Sequence, residues 1–583
     1  MKDLFERARA FLNHDPDQNT RAELSAVLEK ATSGDDAALK DLRDRFSGPL
    51  EFGTAGLRGV IGAGETRMNR AVVLRTTWGL GKYLLEQIGD AASRGVVIGY
   101  DARRMSREFA EDTAAVLAEM GIVAHLSPIA IPTPLTAFAV NYLRAAAGVM
   151  VTASHNPPEY NGYKVYWQNG AQIIPPHDKG IAAWIDRAAP ADEVAKMSLA
   201  DARAKGLVRD IAPVVERTYL DELQKLGVRK DGDRSFAIVY TPLHGVGDRL
   251  TRIALSEAGF TGVESVAEQA EPDGAFPTVV FPNPEEKGAL DLSYALAKKT
   301  GADLILANDP DVDRLAVAVK NASGEFVQLS GNQVGTLLGH YLLTQGKKGD
   351  RIALASIVSS PQLGGIARAL GVRYEETLTG FKWIANRAME IEKETGAHFV
   401  FGYEEALGYT VGPLVRDKDG IGAAVVFAEL AAVRRSEGKT LLDALDDIAR
   451  EFGLYVSGQK SITMPGADGI AAIKQLMVSL RGKTATELGG LAVESTADLS
   501  TGVRKNKDGS TEKLSLPPSD VLVYALEGGS RIIARPSGTE PKIKFYFDVR
   551  EEMRTGELPK DAEGRAKAKM NELMAAFSAF AGV

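Results

Sequence analysis

Three aspartates at alternate positions, Asp309, Asp311 and Asp313, follow the apolar run Leu304 to Ala307. In an extended loop, alternate side chains point the same way, so three carboxylates converge on one hard cation. The few other ligands in the segment leave positions open for a phosphate oxygen, which suits Mg2+. Packed together without a cation, the carboxylates would repel one another, and a solvated acidic turn is the alternative. Arg314 follows directly, and its forked guanidinium matches a phosphate. The spacing is not that of an EF-hand, which needs Gly at its sixth position and Glu at its twelfth.

A second polar turn, Thr152-Ala153-Ser154-His155-Asn156-Pro157-Pro158, leaves the apolar run Ala147 to Val151 and leads to Asn161-Gly162-Tyr163-Lys164. A serine acting as nucleophile or phosphoryl carrier needs a base and a cation nearby, and His155 and Lys164 supply those types. A Ser-His pair alone is more often a polar turn with a capping serine. A third loop, Gly402 to Tyr409, holds the adjacent glutamates Glu404 and Glu405, which could accept hydrogen bonds from sugar hydroxyls. Lys418, between Arg416 and two aspartates, is a candidate proton donor or acceptor. A fourth, Arg535-Pro536-Ser537-Gly538-Thr539-Glu540-Pro541-Lys542-Ile543-Lys544, has the make-up of a phosphate cradle. Gly538 admits backbone amides, Ser537 and Thr539 add hydroxyls, and Lys542 and Lys544 share one strand face. It lacks the Walker spacing. Phe52 to Gly59, with Arg58, repeats the glycine, hydroxyl and arginine theme.

The elements that must position these loops are legible as short apolar runs ending in turns: Val96 to Tyr100, Ala147 to Thr152, Ala237 to Pro242, Asp303 to Asp309 and Arg351 to Ser356. They are too short for helices and do not alternate, so strands buried on both faces are expected. Helical segments lie between them, including Ser106 to Met120, Val246 to Gly259 and Gln362 to Leu370, and this alternation predicts layered α/β units. The first fifty residues read as a helical arm, and 189–208 as a surface helix or linker. Strands are expected at Val456 to Thr463 and Arg531 to Ala534, a hairpin tip at Lys505 to Ser510, and a closing helix from Glu563 to Phe580.

The chain has 583 residues, a size that predicts about four domains. Its formal net charge of −8 argues against coating nucleic acid or anionic lipid. The absence of cysteine excludes disulfides, thiol nucleophiles and thiolate metal sites. No apolar signal core or spanning segment is evident, so a cytoplasmic location is expected.

In this order, the motifs TASHNP, DPDVDR, TLTGFKW, GYEEALGY and RPSGTEP resemble the α-D-phosphohexomutase family of phosphoglucomutases and phosphomannomutases. The match runs from FGTAGLRG to RPSGTEPKIKFY and is nearest the longer phosphoglucomutase/phosphopentomutase branch. The resemblance implies a four-domain, heart-shaped α/β protein: three related α/β domains with mixed sheets and a C-terminal α+β domain around a cleft. The expected divisions are 1–209, 210–324, 325–455 and 456–583. It implies that Ser154 carries the phosphoryl group and joins Asp309, Asp311 and Asp313 around Mg2+, with Arg58 and Arg314 beside the phosphoserine. Thr379, Gly380 and Glu404 match sugar-binding positions. Arg535, Ser537, Gly538, Thr539, Lys542 and Lys544 match the distal phosphate clamp, and His155, Lys164 and Lys418 match general acid/base groups.

One position departs from the pattern. Many members carry a serine where this chain has Ala406, which leaves mannose and pentose phosphates open beside glucose. The implied activity is a phosphoglucomutase that uses a phosphoserine and a glucose 1,6-bisphosphate intermediate, acting on small phosphosugars as a monomer or homodimer. An aspartate-nucleophile phosphatase would explain the Asp309 spacing but not the Ser154 loop or the clamp. A non-catalytic sensor would leave the serine and three aspartates without a task.

Overall fold

The short apolar runs take the buried positions expected of them. Val96–Tyr100, Ala147–Val151, Ile238–Thr241, Leu304–Ala307 and Arg351–Ser356 are buried at every residue. A strand with no wet face belongs inside a sheet covered on both sides. The computed structural model describes residues 2–53, 56–464, 467–537 and 542–583. It comprises two compact units, Met1–Leu329 with Gly408–Val433 and Ser330–Leu407 with Arg434–Val583.

The first unit begins with the helical arm: Lys2–His14, Gln18–Thr32 and Asp36–Arg45. Asp17 and Asp35 cap the second and third helices by accepting from the N–H groups of Asn19, Ala37 and Ala38. The arm buries Leu24, Leu28, Leu42 and Phe46 against Ala63. The Glu23 carboxylate accepts from Arg45 at 2.6 Å and from the Ala63 N–H at 3.1 Å, which fastens the arm to the following segment.

Six strands follow: Leu57–Val60 (β1), Val96–Tyr100 (β2), Ala124–Leu126 (β3), Ala147–Val151 (β4), Tyr160–Trp167 (β5) and Val208–Asp210 (β6). Their order is β1-β5-β4-β2-β3-β6, with β4, β2, β3 and β6 parallel and β5 and β1 antiparallel. Gly162 lets β5 turn back beside β4, because a Cβ there would lie 2.6 Å from the Thr152 carbonyl oxygen and 2.8 Å from that of Leu57. The expected surface helix or linker at 189–208 is more ordered than that. It holds a 3-10 turn (Ala191–Glu193) and a helix (Leu199–Ala204), and ends with Val208 buried opposite Ala124 at the sheet edge.

The second sheet contains Ile238–Thr241 (β7), Val263–Ser265 (β8), Leu304–Ala307 (β9), Ala316–Lys320 (β10) and Phe326–Gln328 (β11), ordered β11-β10-β9-β7-β8. It is parallel where β7 meets β8 and β9, and antiparallel at β10 and β11. The serine loop follows the C-terminal end of β4 and the aspartate loop that of β9, the ends where open α/β sheets bind ligands.

In the second unit, Arg351–Ser356 (β12) pairs in parallel with Arg373–Thr377 (β13) and His398–Glu404 (β14). Gly408–Val411 (β15) and helix Gly420–Ser436 as far as Val433 belong to the first unit. Asp419 caps that helix through the N–H groups of Ile421 and Gly422 and accepts from Tyr219. The last strands are Leu454–Thr463 (β16), Glu487–Leu488 (β17), Leu491–Asp498 (β18), Val503–Asn506 (β19), Thr511–Lys513 (β20), Leu522–Leu526 (β21), Arg531–Pro536 (β22) and Lys542–Glu551 (β23). They form an antiparallel sheet, β16-β23-β22-β21-β18-β19-β20, with β17 on β18. One face packs Ile543, Phe545 and Phe547 against Phe577 and its helix Pro559–Ala581, leaving alternate residues for the other face. The segment Lys505 to Ser510 spans the expected turn between β19 and β20. Among the described residues, no helix is long and apolar enough to cross a membrane.

Gly245, after β7, sits where the aspartate loop passes: a Cβ there would lie 2.3 Å from Pro310 Cα and 2.4 Å from its carbonyl oxygen. Both contacts are backbone, so neither yields to a side-chain rotation. Gly245→Ala is expected to lower stability by about 1–3 kcal/mol in urea unfolding. Gly89→Ala, with no heavy atom within 4 Å of its Cβ, is expected to stay within about 0.5 kcal/mol of wild type. Equal effects would refute the close-approach argument.

Candidate active site

Asp309, Asp311 and Asp313 are all buried, and each offers a carboxylate oxygen within 4.8 Å of the others. The expected extended loop is not how they converge. Val312 has φ 64°, and its N–H donates to the Asp309 carbonyl at 2.9 Å, so the segment is a tight turn that folds the carboxylates inward. The Thr133 hydroxyl donates to Asp311 Oδ2 at 2.6 Å, and the Arg314 N–H to Asp309 Oδ1 at 3.0 Å. Asp311 Oδ1 and Asp313 Oδ1 are buried with no hydrogen-bond partner among the described residues. Buried carboxylate oxygens left unpaired are costly. An all-oxygen donor set with two orphaned oxygens fits a hard divalent cation.

Ser154 reaches this centre from the first sheet. It is buried, has φ 53°, and its hydroxyl donates to Asp309 Oδ2 at 2.9 Å, with His155 Nδ1 at 3.1 Å. A relay sets the strained backbone: Asp101 accepts from the Thr152 hydroxyl at 2.6 Å, and Thr152 Oγ1 accepts from the Ser154 N–H at 2.8 Å. The buried Arg103 guanidinium then donates to the carbonyls of Ser154 (2.6 Å), Pro157 (2.8 Å), Tyr160 (3.2 Å) and Asn156. The Phe276 ring lies under it at 4.9 Å. One planar fork thus gathers carbonyls from Ser154 through to the start of β5.

Cations arrive from separate segments. Lys164 Nζ donates to Asp311 Oδ2 at 2.7 Å and Asp313 Oδ2 at 3.0 Å, so its direct partners are the carboxylates and not the serine hydroxyl. Lys418 Nζ lies 3.3 Å from Asp313 Oδ2 and 3.7 Å from Asp417 Oδ1. Tyr166 and Gln172 both donate to Asp417 at 2.8 Å. Arg314 lies 3.5 Å from His155 Nε2 and 3.7 Å from Glu285. Arg58 donates to Asn156 at 3.3 Å. Burial, then repulsion by Asp311 and Asp313, holds the Asp309 carboxyl well above the usual range. Burial opposes ionisation of Asp311 as well, but Lys164 outweighs it and holds that carboxyl low. Burial, then the charges of Arg314 and Arg58, pushes the His155 imidazole well below its ordinary value.

The remaining candidates lie in the second unit. The Gly380 N–H donates to Glu404 Oε1 at 2.7 Å, joining two of the positions expected to bind sugar. Glu405 is tied to Ser359, whose hydroxyl accepts from the Glu405 N–H at 3.0 Å and lies 3.4 Å from its carboxylate. Thr379 precedes Gly380 and is half-buried. Arg535 stands directly across from Lys544 on β22 and β23. Lys542 and Tyr546 follow the same alternation, and the Ser537 N–H donates to the Lys542 carbonyl at 2.7 Å. Burial, then the charge of Glu405, raises the Tyr546 phenol to about 12, and Arg535 and Glu404 act on it as well. Gly538 and Thr539 lie outside the described residues.

The sequence reading passed over Asp101, Arg103, Thr133, Tyr166 and Tyr546. The only available signal was the polar pair Asp101 and Arg103 at the end of the buried run Val96–Tyr100.

Family models match the chain in order: phosphoglucomutase/phosphomannomutase alpha/beta/alpha domain I over residues 49–192, domain II over 217–324, domain III over 330–452, and the C-terminal domain over 430–564. A Haemophilus influenzae protein named "Probable phosphomannomutase" is 46% identical over 511 residues, covering 87% of this chain and 96% of that one. A human phosphopentomutase is 39% identical over 534 residues, covering 88% and 86%. A Staphylococcus epidermidis phosphoglucomutase is 39% identical over 508 residues, covering 86% and 90%. The three names carry three different sugars, so similarity alone does not select one.

The orphaned oxygens give a direct expectation. Mg2+ at about 100 times its Kd is expected to stabilise the wild type by about 2.7 kcal/mol, read as a rise in Tm. Asp311→Asn and Asp313→Asn, which remove charge at unchanged size, should abolish most of that rise. A full Mg2+ response in both variants would remove the carboxylate turn as the cation site.

Proposed function

Because the chain belongs to the phosphoglucomutase/phosphomannomutase family of enzymes, which move a phosphoryl group within a sugar phosphate, we propose that it interconverts glucose 1-phosphate and glucose 6-phosphate through a phosphoserine at Ser154. The observation that carries this reading is the Ser154 hydroxyl, held in a buried left-handed turn 2.9 Å from Asp309. Asp309, Asp311 and Asp313, with the phosphoserine oxygen, would hold Mg2+. When bound, that ion neutralises charge on the transferring phosphoryl group.

The 6-hydroxyl oxygen of glucose 1-phosphate attacks phospho-Ser154. The bond from phosphorus to Oγ breaks, the bond to O6 forms, and the hydroxyl proton passes to the acid/base groups of the centre, drawn from His155, Lys164 and Lys418. Glucose 1,6-bisphosphate reorients. Ser154 Oγ then takes the 1-phosphoryl group, and O1 leaves with a returned proton as glucose 6-phosphate. The same bisphosphate primes an unphosphorylated serine. The proton that Ser154 sheds has Asp309 Oδ2 at 2.9 Å and His155 Nδ1 at 3.1 Å. Arg314 and Arg58 offset phosphate charge beside the serine.

For the second unit we assign sugar recognition to Thr379, Gly380 and Glu404, and distal-phosphate recognition to Arg535, Ser537, Gly538, Thr539, Lys542 and Lys544. Glucose is favoured by the Staphylococcus epidermidis relative's name. A pentose phosphate is the second reading, favoured by Ala406 in place of a hydroxyl-bearing residue.

Incubation with glucose 1,6-bisphosphate carrying 32P is expected to label the wild type and not Ser154→Ala, whose kcat should fall by at least about 1,000-fold. Labelling of the variant would remove Ser154 as the carrier. Competition among glucose 1-phosphate, mannose 1-phosphate and ribose 1-phosphate should give the highest kcat/KM on glucose 1-phosphate. A preference for ribose 1-phosphate would replace the hexose reading with the pentose one.

A further inference from the structure

Two arginines touch the serine turn, and neither is fully bonded there. The terminal nitrogens of Arg103 donate to carbonyls of the turn, but its Nε is buried without a hydrogen-bond partner among the described residues, 3.5 Å from Asp101 Oδ2. Arg314 lies 3.5 Å from His155 Nε2, and its Nε is likewise buried and unpaired among the described residues. One irregular segment of the first unit, 272–285, reaches both guanidinium groups. It runs between helices Ala267–Ala270 and Asp291–Thr300.

The sequence makes this segment a stiff strap. Pro272, Pro277, Pro282 and Pro284 restrict its backbone. The Asp273 carboxylate accepts from the Ala275 N–H at 2.8 Å and its carbonyl from the Phe276 N–H at 3.1 Å. Gly274 lies against the backbone beside Arg103: a Cβ there would be 2.6 Å from the Ala102 carbonyl oxygen and 2.9 Å from Arg103 Cα. Phe276 is buried with φ 49° and sets its ring 4.9 Å from the Arg103 guanidinium. A left-handed aromatic residue is strained and persists only where its surroundings over-determine it.

The middle and far end are fastened as well. Thr278 Oγ1 accepts from Gln269 at 2.9 Å and lies 2.7 Å from Nε2 of the buried His244. The Asn283 side chain accepts from the Glu285 N–H at 3.2 Å, and Gln328 donates to the Pro284 carbonyl at 2.8 Å. Glu285 thereby brings its carboxylate 3.7 Å from Arg314. Between these fixed points Val280 and Phe281 are 81% and 45% exposed, so the strap is not held down by a continuous apolar contact.

We propose that the strap 272–285 is a positioning element for phosphoryl transfer at Ser154, in which Phe276 fixes Arg103 and Glu285 fixes Arg314. An aromatic face attracts a guanidinium and sets the plane of its fork. The carboxylate orients the second fork by charge. Arg103 in turn sets the serine backbone, and Arg314 sets positive charge beside the phosphoryl group. The part in phosphoryl transfer rests on the proposed function of Ser154, whereas the hold on the turn does not.

Phe276→Leu removes the ring face and stays apolar, and Glu285→Gln removes the charge at unchanged size. Each should lower kcat on glucose 1-phosphate by about 10- to 100-fold and change KM by less than about 3-fold. The rate of 32P transfer from glucose 1,6-bisphosphate to Ser154 should fall in parallel. Added to Arg103→Met, Phe276→Leu should cost less than about 3-fold more, because its effect runs through Arg103. Val280→Ser, on the exposed stretch, should match the wild type. A lower Tm with unchanged kcat, or a full further loss in the Arg103→Met background, would overturn the proposal. If Phe276→Leu does not fold, 3,4,5-trifluorophenylalanine in place of Phe276 keeps the ring's shape, weakens its attractive face, and should move the same readouts.

Hydrogen exchange reads the hold on the turn by itself. Loss of the ring face should speed exchange of the Ser154 and Asn156 amides by at least about 10-fold and leave Val96–Tyr100 unchanged. Unchanged exchange at the turn would overturn the hold whatever the activity. If the wild type took up no label, the functional reading would fall, and exchange would still decide whether the strap holds the turn.

Discussion

Three carboxylates in one buried turn are the constraint around which the first unit is organised. Their oxygens lie within 4.8 Å of one another, a spacing worth about 3–4 kcal/mol of repulsion per ionised pair at an effective dielectric near 20. Such a cluster persists only if cations reach it, and no single element supplies enough. Lys164 comes from β5, Lys418 from the segment after β15, and the charge of Arg314 from the turn itself. This explains why β5 turns back antiparallel beside a parallel core, and why Gly408–Val433 groups with the first unit. Among the described residues, Asp311 Oδ1 and Asp313 Oδ1 still have no hydrogen-bond partner.

The strained backbone follows from the same requirement. Ser154 and Val312 both occupy the left-handed region, with φ 53° and 64°. Each costs about 1–2 kcal/mol, and extended conformations would carry the hydroxyl and the carboxylates away from one another. The relay from Asp101 through Thr152 and the Arg103 fork hold the first turn. Pro310, pressed against Gly245, helps to hold the second. The net charge of −8 therefore describes the chain as a whole and not this centre, where fixed cations face fixed anions.

Much of this was legible in the sequence. Strands buried on both faces announce themselves as unbroken apolar runs, and the loops that follow them held the serine and the aspartates where expected. What escaped was the conformation of the loops. Alternating aspartates are compatible with an extended segment, and nothing in the residue types requires Val312, a β-branched residue, to turn left-handed. Lys164 was read as a partner of Ser154 because the two are near in sequence, whereas the fold commits its ammonium to Asp311 and Asp313. Arg103 and Arg531 were invisible for another reason. Each acts on groups dozens to hundreds of positions away, and an arginine at a strand end looks like any other until its acceptors are known. The clamp residues Gly538 and Thr539 remain a reading of the sequence alone.

The two arginines illustrate one physical device at two scales. A guanidinium is always charged and presents its donors in a fixed plane, so a buried one constrains every acceptor it touches. Arg103 applies this to a single turn, Arg531 to a seam between strands. Arg531 ties β22 to β23 through Asp548, to β13 through Glu376 and to the Ser359 carbonyl, so three separated segments of the chain share one side chain. Its loss would leave buried acceptors on all three unpaired at once, which is why the charge and the planar fork are kept together at this position.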